Sequence, residues 1–131
     1  MSPAAERRLL QVAVAAACLV PLLAGGLGVL RGPVFAGGQA GTIDLDSHFR
    51  YLSGLLIGIG LVFLACIPTI ERRTTLFRIL AAIVFVGGLS RLLSLAELGL
   101  PGGGQRFGLV MELGVVPLLA LWQGRLARRF G

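Results

Sequence analysis

Three ionisable residues stand inside stretches that are otherwise apolar: Arg50, Arg91 and Glu112. A charge at the centre of a bilayer costs roughly 2.5–3.5 kcal/mol on insertion scales, so such residues turn inward and pair. Two arginines against one glutamate leave a positive excess. That excess suits an anionic group such as a carboxylate, a phosphate or a quinone-like oxygen. Tyr51, Ser90, Ser94 and Glu97 are the neighbours that would line such a pocket, and Glu112 could instead carry protons if burial raises its pKa. The competing reading is an ion pair that fixes helix register and does nothing more. Each charge shares a helical face with glycine: Arg50 with Gly54 and Gly58, Arg91 with Gly87, Glu112 with Gly108. Small residues allow close helix approach, so these faces are expected to point into the protein. The Gly54-x-x-x-Gly58 spacing also suits a homodimer.

Other chemistry is thinner. Asp44, Asp46 and His48 form a D-x-D-x-H run, a weak metal candidate with no second cluster to complete it. Helix capping and interfacial solvation explain these residues as well, and no metal site is assigned. Cys18 and Cys66 lie singly in apolar runs, where cysteine packs as a small hydrophobe. No CxxC pair, nucleophile–base arrangement or cofactor fingerprint is present, so no catalytic residue and no cofactor is assigned.

The elements that must hold these residues are hydrophobic helices. Of 131 residues, 56% are hydrophobic and only 14% charged, against about 25% charged in soluble domains. All twelve basic residues are arginine, and the net charge is +6. The arginines sit at the margins of apolar runs, not in a stripe on a polar face. That distribution argues against nucleic acid and for anionic lipid headgroups.

Four apolar runs cover about residues 9–30, 49–70, 76–96 and 107–123. The first is roughly 33 Å of helix, enough for a ~30 Å hydrocarbon core. A cleaved signal peptide is its competing reading, but a typical hydrophobic region there is only about 7–15 residues. Cleavage would leave three spans and an external start. Asp44, Asp46 or Ser47 is expected to cap the second helix. The link at 71–74 is short enough for an antiparallel hairpin, and Gly99-Leu100-Pro101-Gly102 reads as a loop.

Eight arginines (Arg7, Arg8, Arg72, Arg73, Arg78, Arg125, Arg128, Arg129) fall on one side of the four spans and three (Arg31, Arg50, Arg106) on the other. The positive-inside rule then places both termini in the cytoplasm of a bacterial inner membrane. The expected fold is all-α: an integral membrane four-helix bundle, up-down-up-down, in a single domain over 1–131. In that topology Arg91 and Glu112 both lie roughly 7–8 Å below the outer interface, and Arg50 can reach down toward them.

Ser47-His48-Phe49-Arg50-Tyr51-Leu52-Ser53-Gly54, Gly87-Gly88-Leu89-Ser90-Arg91-Leu92-Leu93-Ser94, Gly99-Leu100-Pro101, and Glu112-Leu113 followed by Pro117 together resemble a family of small four-span bacterial membrane proteins, domain of unknown function 4345. The chain is distantly similar to the broader DoxX-like group. The resemblance spans Leu9 to Trp122, implies a four-helix fold, and draws attention to Arg50, Tyr51, Arg91 and Glu112. It implies no activity. The DoxX likeness hints at accessory roles beside redox or respiratory enzymes, a fold-level analogy only.

The expected function is therefore a non-enzymatic accessory subunit or small-ligand or lipid binder. Its partners would be membrane lipids and either a larger membrane complex or further copies of itself. A small oligomeric transporter or proton-coupled carrier is the alternative, with an intramembrane enzyme behind it.

Overall fold

The computed structural model covers residues 1–131. It is all-α, with four helices long and apolar enough to cross a membrane. These are α1 (Pro3–Arg31), α2 (Ile43–Cys66), α3 (Thr74–Leu98) and α4 (Gly103–Phe130). Each helix is longer than its apolar run, because the ends continue into polar residues that hydrocarbon does not require but a helix tolerates.

Helix α1 begins with Pro3 in its first turn, where a missing N–H costs nothing, and Ser2 Oγ accepts the Ala5 N–H. It continues through Pro21 without ending. Helix α2 starts six residues before the apolar run. Its cap is Thr42, whose Oγ1 accepts the Leu45 N–H at 3.2 Å. Asp44 and Asp46, expected as caps, lie instead in the first turn, where their charge complements the helix dipole. Pro68 disfavours helical geometry in the preceding residue and lacks an N–H. The α-helix accordingly stops at Cys66, and Ile67–Arg72 form a 3₁₀ turn broken at Thr69.

The chain divides into two compact units. One, Ala13–Ala65, is a hairpin of α1 and α2. Its helices touch where glycine removes a side chain. A Cβ on Gly25 would stand 2.7 Å from Ile57 Cγ1 and 2.8 Å from the Ser53 carbonyl, and one on Gly60 would meet Leu22 at 2.9 Å. Gly28 lies against the buried Ser53 hydroxyl. Nothing packs on Gly54 or Gly58. The close approach in this hairpin was thus expected of the wrong glycines on α2.

The other unit, Met1–Val12 with Cys66–Gly131, contains the start of α1, the 3₁₀ turn, α3 and α4. Its apolar centre includes Leu10, Ile70, Phe77, Leu80 and Leu126. Three carbonyls of the broken turn each take a donor from a different side chain. Gln11 Nε2 donates to Ile67 O at 2.8 Å, Arg7 Nη2 to Pro68 O at 2.7 Å, and Gln123 Nε2 to Ile70 O at 2.7 Å. Arg7 Nε also lies 2.8 Å from Glu71 Oε2. Long apolar side chains such as Leu19, Leu23, Leu118 and Leu121 remain exposed, an outside suited to lipid.

Gly25→Ala is expected to lower stability in detergent by about 1–3 kcal/mol, the usual cost of overpacking. Gly54→Ala, with open space at its Cβ, should leave stability unchanged or raise it by about 0.5–1 kcal/mol through helix propensity. Parallel denaturant unfolding of the two variants checks this.

Candidate functional site

Arg91 on α3 and Glu112 on α4 form a two-pronged ion pair. Arg91 Nε donates to Glu112 Oε2 at 3.0 Å and Nη2 to Oε1 at 2.9 Å. Nη1 donates to Gln105 Oε1. The planar fork matches the carboxylate edge on, the strongest form such a pair takes. Because α3 runs on to Leu98 and α4 begins at Gly103, the pair lies roughly 10–14 Å along each helix from those ends. The Glu112 side chain is 18% exposed and that of Arg91 33%.

Glycine makes the approach possible. A Cβ on Gly88 would be 2.7 Å from Leu113 Cδ2 and 2.9 Å from Glu112 Cβ, so only hydrogen fits there. Gly108 faces the Arg91 guanidinium, which would lie 3.5 Å from an added Cβ. Its expected role beside the charge pair holds. Gly87 does not share it: Gly87 is exposed with nothing near its Cβ, and the packing glycine of α3 is its neighbour Gly88.

Glu112 also sits in a π turn, Met111–Val115, closed by the Val116 N–H on the Met111 carbonyl. Pro117 explains the wide turn. It cannot donate to the Leu113 carbonyl, and its ring would clash with that carbonyl in a regular α-helix. Single π turns relieve such conflicts and recur at functional positions.

The other expected site residues have surroundings of their own. Arg50 has acceptors within its own hairpin: Nε meets Asp46 Oδ2 at 2.8 Å and Nη1 donates to the Val29 carbonyl. It thereby ties the start of α2 to the last turn of α1, where a cation suits the helix dipole. Gly32, at φ +68°, passes this pair so closely that a Cβ would lie 2.5 Å from Asp46 Oδ1. Tyr51, Ser90 and Ser94 are exposed, and the Ser90 hydroxyl donates back to the Val86 carbonyl of its own helix. Asp44, Asp46 and His48 do not converge as metal ligands. They lie on a helix and not in a loop, so alternate residues point to different faces.

Sequence reasoning missed Gln105, which joins the pair because α4 starts four residues before the apolar run. Gln105, Gly108 and Glu112 then fall at i, i+3 and i+7 on one face. It also missed Gln123, fully buried, whose amide donates to Ile70 O and to Thr74 Oγ1 at 3.0 Å. Glu6 was missed as well, a buried carboxylate bonded to Trp122 and Arg129. Its signal was present in the excess of arginine near the other end of the chain.

The model of a family described as a domain of unknown function, DUF4345, matches residues 9–123. The chain belongs to the DUF4345 family. The match takes in Arg50, Arg91, Gln105 and Glu112. No curated protein and no solved structure matches the chain.

Arg91→Leu or Glu112→Leu alone leaves one charge without its partner and should cost about 3 kcal/mol or more. The double variant should recover to within about 1 kcal/mol of the parent if the pair is purely architectural. Unfolding in mixed micelles, run as a double-mutant cycle, measures the coupling. Gln123→Leu should cost about 0.5–1.5 kcal/mol per bond by removing the amide donor to the Ile70 carbonyl and the Thr74 hydroxyl, read from the same unfolding curves.

Proposed function

We propose that this DUF4345 protein is a non-enzymatic membrane accessory subunit whose Arg91–Glu112–Gln105 cluster locks the register of α3 against α4. The observation that carries this reading is the closure of the pair on itself. Both Glu112 oxygens and three Arg91 donors are committed within the protein, over a contact that admits only glycine at position 88. Glu112 is gripped by both prongs of the fork, and most of its arginine partner's donors are already engaged. The arginine distribution supports a bacterial inner membrane with both termini cytoplasmic. The distant DoxX likeness agrees with a role beside a larger complex.

A second reading has one specific observation behind it. The Arg91 guanidinium carries five N–H donors, of which three are used, and its side chain is one-third exposed. The two spare donors could take an anionic group of a ligand.

Purification of the full chain in mild detergent, with identification of what accompanies it, separates these readings. The parent and the Arg91→Leu/Glu112→Leu variant should bring down the same larger membrane complex. A double variant that folds but loses its partner would make the cluster itself the recognition element. Loss of proton-coupled uptake in a folded Glu112→Gln variant would establish the carrier alternative instead.

A further inference from the structure

A second polar cluster lies ten residues beyond Glu112 on α4, independent of the register lock. Trp122, Arg125 and Arg129 occur at i, i+3 and i+7, one continuous stripe of the helix. They meet Glu6 from α1 around an open cavity of about 510 Å³, which Met1 also borders. Glu6 is nearly enclosed, its side chain 7% exposed. Trp122 Nε1 donates to its Oε1 at 3.1 Å, and Arg129 Nη1 donates to its Oε2. Arg129 Nη2 further donates to the Met1 carbonyl at 3.2 Å.

Two arginines therefore face one carboxylate, and the carboxylate is already taken. Arg125 Nε stands 4.0 Å from Glu6 Oε1, at the limit of an ion pair, and its side chain is 72% exposed. Its fork has donors to spare at the mouth of the cavity. Glu6 and Met1 fix Arg129 beside it, and the Trp122 indole supplies an amphipathic wall of the kind that settles at the membrane–water boundary. Arginine forks recognise phosphate oxygens through paired N–H donors. Glu6 is paired with Arg129 and its side chain is only 7% exposed, so little carboxylate is open to an ammonium group.

We propose that Arg125 and Arg129, oriented by Glu6 and walled by Trp122, seat a phosphodiester anion that carries no attached ammonium, the chemistry of an anionic phospholipid headgroup. The seat lies where the apolar part of α4 gives way to its basic end, the level at which headgroups stand. It selects by charge, favouring phosphatidylglycerol over phosphatidylcholine.

The test uses the full chain in nanodiscs of either phosphatidylglycerol or phosphatidylcholine, and in detergent with inorganic phosphate. Native mass spectrometry counts retained lipid, and thermal unfolding gives the melting temperature. The parent should melt several degrees higher in phosphatidylglycerol and retain it preferentially. Arg125→Gln, which leaves the Glu6–Arg129 bond in place, should lose at least half of that shift. Arg72→Gln removes one exposed charge from outside the cluster and should keep it. Equal melting in the two lipids, or an undiminished shift in Arg125→Gln, overturns the proposal. So does an equal loss in Arg72→Gln, which would make the effect diffuse surface charge. Matching stabilisation by inorganic phosphate alone would overturn the lipid source and assign the seat to a soluble anion. Should Arg125→Gln fail to fold, Arg125→Lys keeps the charge but loses the fork. Retention of phosphatidylglycerol undiminished in that variant would count against the proposal.

Discussion

Hydrocarbon solvates neither a peptide carbonyl nor a charge, so every polar group at membrane depth needs a partner supplied by the protein. This requirement governs the least regular parts of the chain. Pro68 ends α2 early and breaks the hydrogen-bond ladder. Gln11, Arg7 and Gln123, from two other helices, then donate to carbonyls of the turn. A defect in one helix thus becomes an attachment point for its neighbours. Arg50 does the same at the other end of the α1–α2 hairpin by donating to a carbonyl in the last turn of α1. In water these groups would be satisfied by solvent, and the same side chains would contribute far less.

The requirement also explains why the central charges pair so completely. Arg91 and Glu112 each cost energy to place in lipid, and their mutual attraction offsets this only when geometry is good and the leftover hydrogen-bonding capacity is met. The fork-to-carboxylate match supplies the geometry, Gln105 meets part of the remainder, and Gly88 lets the two backbones come close enough. None of the four residues would serve without the others. That interdependence is what a register lock needs: sliding α3 by one residue would separate the pair, and in one direction would bring Leu89 into the space Gly88 leaves open.

Much of this was legible in the sequence, and what was not has physical causes. The four helices follow from apolar runs, and the meeting of Arg91 with Glu112 follows from their similar depth on consecutive antiparallel spans. Apart from the end of α2, which Pro68 cuts short, helix ends were placed too far inward because hydropathy marks where lipid ends, whereas the backbone stays helical into the interface. The early starts of α2 and α4, capped at Thr42 and opening at Gly103, escaped for that reason, and Gln105 with them. Gly87 and Gly88 are equally compatible with helical spacing to Arg91, at i−4 and i−3. Which of them packs depends on the angle of the neighbouring helix, and that angle is a tertiary property. Glu6, outside any apolar run, had the appearance of a solvated end residue. Its partners lie more than a hundred residues away, beyond the reach of local spacing.

The π turn shows how a single residue type can organise one helix for two tasks. Pro117 forbids a regular turn at its own position, and the extra residue in Met111–Val115 relieves the conflict. One inserted residue also rotates everything after it by about 100° relative to an unbroken α-helix. Helical counting therefore holds within each half of α4 but not across it. Gln105, Gly108 and Glu112 form one stripe that ends in the turn and serves α3. Trp122, Arg125 and Arg129 form another that begins after it and serves α1. The two stripes are each continuous and are offset by the turn between them. Pro117 is thus the element that offsets the two polar faces α4 presents to separate partners.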